Sequence, residues 1–399
     1  MKQARVVLGL TVLALIAIGF VVLSSAGGPV GDRRYGDLCY FVKQQAKWLA
    51  IALPLFVGAI FFDYRRWREY HWLTVAMYVA VVLALCAVFK FHAVNGSHRW
   101  LMLGSVRIQP SEFAKIAVVI ATAVFLDRIG WQIELFWKGA VRTLLIIAVP
   151  MALAVAEPDF GSTMVIALSG GVLMFIAGMR WLHMLALGAV GVLGVGSLLI
   201  SNGNRMRRIA AWLPAVAKEK LSAWCPWLGD LTVSTEDARE ANHQLDQALI
   251  AIRNGGEAGV GFGNSMQKQL YLPENHTDFI FAIGAEEWGL VFSLLLLALF
   301  VTVFVCGVVI AMRSQDRLGR LIAFGMVFLI FFQALFNMGV VTGLLPTKGL
   351  ALPFISYGGT NLMTALIAIG VLMNVSRQTD LQRLREKSKI SAVFHIKQG

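Results

Sequence analysis

Charge is what this sequence has least of. Only 15% of its 399 residues are Asp, Glu, Lys or Arg, against 58% hydrophobic, where a soluble domain carries ~25% charged residues. A mean hydropathy of +0.70 agrees and excludes a water-soluble globular protein. Cysteine is scarce too. There are four, none in a CxxC pair, which removes the common zinc and thiol-redox motifs. Cys86 and Cys306 lie inside apolar runs and are expected to be buried, while Cys39 and Cys225 fall in polar segments and can pair only in an oxidising compartment. No HExxH, no clustered histidines and no GxSxG occur, so zinc-protease and serine-hydrolase readings fall away. No basic stretch interleaved with aromatics lies outside the apolar runs, so nucleic acid has no footprint despite a net charge of +12. That excess suits basic loops facing anionic lipid. No charged residue falls mid-run either, and intramembrane charge is the usual mark of ion-coupled transport.

What the sequence does have is apolar runs near the ~20 residues that cross a bilayer. Ten can be read: 6–26, 45–62, 72–91, 111–127, 142–157, 161–179, 182–200, 279–312, 319–342 and 359–376. The expected fold is an all-α polytopic membrane protein, residues 1–399 forming one membrane domain of ten transmembrane helices. A large outer loop, 201–278, separates spans seven and eight, and a basic tail, 377–399, follows the last. Lys2 and Arg5 precede a first run whose core, Val6 to Leu23, exceeds the ~7–15 residues of a signal peptide, so it is read as a retained anchor. With the N-terminus inside, inner segments hold 18 Lys and Arg and outer ones 9, leaving the long loop aside. Both termini are therefore expected in the cytoplasm. Arg99, Arg107, Lys115 and Lys348 oppose that trend, in or beside short outer loops. They are either snorkelling helix-end cations or groups that hold an anion.

Within the long loop, Ala238, Ala241, Leu245, Ala248, Leu249 and Ile252 recur at helical spacing, behind a capping box of Ser234 with Asp237 and ahead of Gly255-Gly256. An amphipathic helix is expected there, on the outer surface or against the bundle. GVGFG (259–263) lacks the strand before it and the Lys-Ser/Thr after it that a nucleotide loop needs, and reads as a flexible turn.

Three outer regions concentrate polar groups. In 98–115, Pro110 suits a helix start and sets Glu112 and Lys115 three apart on one face. A lysine in a first turn opposes the helix dipole, which favours a functional role for Lys115 over a plain ion pair. In AEPDFGS (156–162), Asp159 can cap the helix that follows. The third region is LPENHTDFIFAIGAEEWGL (272–290), where the run 279–311 is longer than spanning requires. Its outer turns are expected to line a cavity, with His276, Thr277 and Asp278 at the mouth. Taken at 100° per residue, Glu286 shares a wall with Asp278 and Glu287 points away. An Asp partly shielded from water has a raised pKa and can accept a proton near neutrality. Gln333 and Asn337, four apart in span nine, read as interhelical hydrogen bonds. Ser356, in PFISYGGT, lacks a recognisable base and is read as positional or ligand-binding.

QPSEFAK (109–115), EPDFGST (157–163), LPENHTDFIFA (272–282) with AEEWG (285–289), and LPTKGLALPFISYGGT (345–360) resemble, in order and over nearly all the spans, the SEDS family of bacterial cell-wall synthesis. The last stretch, with its Thr-Lys pair, is similar to the cell-division branch, FtsW, rather than the elongation branch, RodA. The resemblance implies a peptidoglycan glycosyltransferase that polymerises lipid II into β-1,4 glycan at the outer face of the bacterial cytoplasmic membrane, at the division septum. Asp278 would be its essential acidic residue, acting as general base. Glu112, Lys115, Asp159, Arg99, Lys348 and Ser356 would be substrate-site residues, joined by His276, Thr277 and Glu286 from the reading above. One position departs from the pattern: Leu270 stands where an acid often precedes the YLPE turn. The implied partners are undecaprenyl-pyrophosphate-linked glycan, a class B penicillin-binding protein as transpeptidase, and other division-complex membrane proteins. A divalent cation, magnesium or manganese, is compatible with this chemistry, with no ligand set visible. A lipid II flippase without a proton-abstracting acid, and a non-catalytic scaffold recruiting the transpeptidase, are the alternatives.

Overall fold

Each of the ten apolar runs folds as a helix in the computed structural model, which describes residues 1–91, 99–103, 106–200, 236–269, 271–346 and 349–396. The helices are α1 (Lys2–Tyr35), α2 (Tyr40–Phe61), the single turn α3 (Arg66–Glu69), α4 (His71–Val88), α5 (Pro110–Ile129), α6 (Arg142–Ala156), α7 (Phe160–Ile176), α8 (Trp181–Ile200), α9 (Glu236–Gly255), α10 (Ile280–Arg313), α11 (Arg317–Val341) and α12 (Gly359–Ile396). Among the described residues, seven helices are long and apolar enough to cross a membrane: α1, α2, α4, α6 with the irregular turn before it, α10, α11 and α12. The chain is thus a membrane protein. Helix α5 carries Glu112, Lys115, Asp127 and Arg128, and α7 and the described apolar part of α8 are shorter.

Burial sorts the helices. In α11 and α12, 72% and 78% of the apolar window is buried by the rest of the protein, against 11% in α2. The first two form the centre, and their polar side chains, having no water to turn to, must find partners within the bundle. The periphery needs no such cover, because lipid solvates apolar side chains at no cost. This accounts for Cys86, which sits exposed on outer helix α4 rather than buried as expected, while Cys306 is buried in α10. Cys39 is exposed with a free thiol, and Cys225 lies outside the described residues.

Local features follow the residues that build them. Pro110 occupies the first turn of α5, where its missing N–H costs nothing. Ahead of it a two-stranded antiparallel hairpin, β1 (Leu101–Leu103) and β2 (Val106–Ile108), pairs Leu101 with Ile108 and Met102 with Arg107. The amphipathic pattern does give a helix, α9, which ends at Gly255 as expected. Ala248 and Ala251 are buried, and the helix packs chiefly on α10. Ser234 of the expected cap lies outside the described residues.

Two expectations about α10 need correction. Asp278 is not in its first turn, because the helix begins at Ile280 with Phe279 as cap. Nor is the helix continuous: Gly289 has φ 68° and ψ −155°, a region open in practice to glycine alone. The outer piece, 280–288, is closed off by the segment that follows α9. Val260 and Gly261 donate their N–H groups to the carbonyls of Glu286 and Glu287 at 3.0 and 2.9 Å, and Leu290 donates to Gly256 at 2.9 Å. GVGFG is therefore a docked cap for a broken helix and not a flexible turn. A Cβ at position 289 would collide with the Glu257 carbonyl and the Gly259 nitrogen. Gly289→Ala is expected to destabilise the fold by about 1–3 kcal/mol; a thermal midpoint in detergent equal to wild type would show that the break tolerates a side chain.

Candidate functional site

Asp278 sits on the loop between Leu272 and α10, and this loop is held by its main chain. The Glu274 carbonyl accepts from Thr277 N and Phe279 N at 3.2 and 3.3 Å, which closes a tight turn. Asn337, on α11, donates to the carbonyls of Asp278 (2.8 Å) and Leu350 (2.6 Å). The Ser356 hydroxyl donates to the Thr277 carbonyl at 2.6 Å and accepts from Leu352 N at 2.8 Å. Tyr357 N donates to the His276 carbonyl at 3.0 Å. Gln45 of α2 braces this from behind, donating to the Ser356 carbonyl and accepting from Gly358 N. Asn337 thus does more than join helices. Ser356 acts on the loop backbone, with no base beside it.

The side chains of this loop divide by environment. His276 is buried against the rings of Phe41 and Tyr357, 4.2 and 5.9 Å between centroids, with Nδ1 3.2 Å from Asn275 Oδ1. Burial pushes its pKa down, so it is neutral. Thr277 turns its hydroxyl to the Glu274 carboxylate at 2.8 Å. The Asp278 carboxylate, by contrast, receives no hydrogen bond from any described residue. Its Oδ2 presses on Gly349, where any Cβ would collide with it. Burial first, then the negative charge of Glu274, lifts its pKa to about 7; Arg99 opposes, and Asp159 and Glu112 add to the rise.

Around it the other predicted residues take distinct places. Glu112 and Lys115, both buried, form an ion pair of 2.7 Å. Lys115 also donates to Gln333 Oε1 at 2.8 Å, and Glu112 accepts from Asn361 and Thr364 at 3.1 and 3.2 Å. The pair therefore ties α5 to α11 and α12. Asp159 caps α7 through Ser162 N (3.1 Å), and its other oxygen accepts from Ser111 and Gln109 at 2.7 and 3.0 Å. Arg99 lays its guanidinium on the carbonyls of Glu157 (3.3 Å) and Pro158 (2.5 Å), at the end of α6. Arg99, Asp159, Glu112 and Glu274 thus all act on Asp278 electrostatically.

Glu286 does not share a wall with Asp278. Its carboxylate accepts from Ser265 Oγ, from Gln267 N at 3.3 Å and from Asn254 at 3.4 Å, and so pins the preceding loop to α9 and α10. The helical angle fails because Asp278 precedes the helix. Glu287 does point elsewhere, to a buried pair with Lys268 at 2.9 Å that also takes in Ser25 of α1. Lys348 lies outside the described residues. Among the described residues no group of three or more His, Cys, Asp or Glu is placed to hold a metal ion.

One residue that sequence reasoning passed over belongs here. Glu157 is wholly buried at the C-terminal cap of α6, and among the described residues neither of its carboxylate oxygens has a hydrogen-bond partner. The signal was legible: an acid just before Pro158, at a helix end whose dipole disfavours negative charge.

The chain as a whole is similar to known proteins. The FtsW, RodA and SpoVE family model, whose description is "Cell cycle protein", matches residues 5–381. The chain belongs to that family. It is 36% identical over 378 residues to the probable peptidoglycan glycosyltransferase FtsW of Geobacter metallireducens, covering 94% of this chain and 95% of the relative. It is 35% identical over 367 residues to stage V sporulation protein E of Bacillus subtilis, covering 92% and 94%. In structure it resembles the rod shape determining protein RodA of Thermus thermophilus, with TM-score 0.66, 26% identity and coverage of 93% and 96%. It also resembles a subunit of a peptidoglycan synthase complex that coordinates polymerization and crosslinking, with TM-score 0.71, 26% identity and coverage of 93% and 97%. As the sequence suggested, the chain falls in the FtsW branch of the SEDS family, and it is a glycosyltransferase.

Proposed function

We propose that this glycosyltransferase polymerises lipid II into β-1,4 glycan strands at the outer face of the bacterial cytoplasmic membrane during division, with Asp278 as general base. The chain would cross the bilayer ten times, with both termini in the cytoplasm. The observation that carries the reading is the Asp278 carboxylate: unbonded among the described residues and fixed through its own backbone, in surroundings whose burial pushes its pKa up to about 7. A base with that midpoint is poised to take a proton near neutral pH.

The step is a displacement. The 4-hydroxyl oxygen of the acceptor lipid II attacks the anomeric carbon of the donor glycan, and its proton passes to Asp278. The anomeric C–O bond to phosphate breaks, undecaprenyl pyrophosphate leaves with that electron pair, and configuration inverts. The leaving group is already stable as an anion, so the site needs positive charge more than a second acid. Lys115 is taken up by Glu112 and Gln333, which leaves Arg99, together with Lys348, to face the diphosphate. An apolar groove of about 470 Å³, running from Phe113, next to Glu112, down to Tyr64 between α2, α4, α5 and α12, suits a long isoprenoid chain. A class B penicillin-binding protein would supply crosslinking, which this chain lacks the motifs to perform.

The test is polymerisation of purified lipid II by the protein reconstituted with its cognate transpeptidase, the partner's active site blocked. Long glycan is expected, with a rate that rises as pH passes through about 7 and Asp278 loses its proton. Lipid translocation without polymer would replace this reading with the flippase. Transpeptidase recruitment alone would leave the scaffold.

A further inference from the structure

The α6–α7 junction holds a carboxylic acid that the mechanism above does not use. Glu157 is 0% exposed, and both of its carboxylate oxygens lack a donor among the described residues. An ionised carboxylate in that setting is among the costliest arrangements a protein interior can hold. Two further features oppose a charge there. The residue caps the C-terminal end of α6, the negative pole of that helix, and Asp159 follows two positions later. A glutamine or a leucine would suit the site better on every count, so packing gives no reason for an acid.

The one favourable neighbour is Arg99. Among the described residues, the charged groups acting on Glu157 are Asp159, at the start of α7, and Arg99, from the segment ahead of β1. Arg99 is anchored to this same residue: its Nε donates to the Glu157 carbonyl and its terminal nitrogen to the Pro158 carbonyl. Both bonds go to neutral acceptors, so the guanidinium keeps its full charge and has further N–H groups for an anion.

We propose, building on the reading of Arg99 as a diphosphate contact, that Glu157 is a positioning residue that sets the charge Arg99 offers to substrate. Held neutral, it adds no counter-charge to Arg99, which Asp278 also faces electrostatically; once ionised, with its proton lost to solvent, it becomes an internal counter-ion that competes with the diphosphate. Burial pushes the Glu157 carboxyl up to about 8, with Asp159 adding to the rise and Arg99 opposing it. The switch therefore lies well above the usual carboxylate range, near pH 8.

The experiment measures binding of undecaprenyl diphosphate to the full-length protein in nanodiscs between pH 7 and pH 9, by tryptophan fluorescence. Asp278→Asn is the common background of every protein compared for binding, so that the Asp278 titration near 7 does not enter and wild type refers to position 157. Wild type is expected to weaken ~10-fold at pH 9, one unit above the midpoint, while Glu157→Gln, neutral and of the same shape, holds its affinity flat. In polymerisation, with Asp278 kept, the same loss is expected in KM for lipid II and not in kcat. Glu157→Met, neutral and apolar, gives the same flat profile if the amide variant folds poorly. Parallel weakening of wild type and Glu157→Gln, or no weakening of wild type, overturns the proposal. Binding without glycan formation would sink the proposed function and leave this inference standing. Glycan formation with flat wild-type binding would sink this inference alone.

Discussion

Asp278→Asn is expected to fold, to bind lipid substrate and to lose ~10²–10⁴-fold in polymerisation rate. It should fold because the hydrogen bonds that place the loop do not use its carboxylate. Asn337 and Ser356 grip the carbonyls of residues 278 and 277, and Tyr357 that of 276. Stability should move the other way. A folded-state pKa of about 7, above the usual ~3.9, favours the folded state fully below the unfolded pKa. That contribution is lost as pH rises from there through about 7. The amide has no such loss, so above pH 7 its thermal midpoint should exceed that of wild type. Both readouts come from one preparation, by glycan length on gels and by thermal unfolding. An Asn variant that still builds long glycan would move the base to Glu274, the other carboxylate of the loop.

The second large effect concerns the Glu112–Lys115 pair. Lys115→Met leaves a buried carboxylate with only Asn361 and Thr364 as donors. Breaking a buried pair on one side typically costs about 3–5 kcal/mol. The double variant Glu112→Gln/Lys115→Met removes both charges together and should recover most of that stability, since neutral replacements of buried pairs are often tolerated. Thermal unfolding of wild type, Glu112→Gln, Lys115→Met and the double variant measures the coupling. Additive losses would mean that the two side chains stand independently, against the geometry. If the double variant folds and still fails to polymerise, the pair also acts on substrate, and the lysine's place against the helix dipole would have a functional cause.

Much of this was legible in the chain. Apolar runs located each of the seven helices that, among the described residues, are long and apolar enough to cross a membrane, because in lipid the backbone must bond within its own segment and length marks a span. The polar stretches between the runs supplied the site residues because loops carry what the membrane interior cannot hold. What stayed hidden depended on backbone detail. Nothing in AEEWGL says that Gly289 takes a left-handed φ, so a broken helix reads as one long rod, and nothing in NHTDF says that the helix begins only at Ile280, so the helical angle wrongly sets Glu286 beside Asp278. The role of Ser356 was hidden for the same reason: its partner is the main chain of Thr277, 79 positions away, and carbonyls leave no trace in sequence. Glu157 stood in plain view, but its meaning needed the knowledge that no donor reaches it.

The break at Gly289 has a mechanical side. A continuous α10 would act as one lever, carrying any tilt of its lipid-embedded length straight to the Asp278 loop. With a glycine pivot inside it, residues 280–288 move with α9 and the segment that caps them, and the span beneath can lean or rotate largely on its own. The loop that carries Asp278 stays tied to the bundle, through Asn337 of α11 and through Ser356 and Tyr357 ahead of α12, so its position follows those helices and not the tilt of the span beyond Gly289.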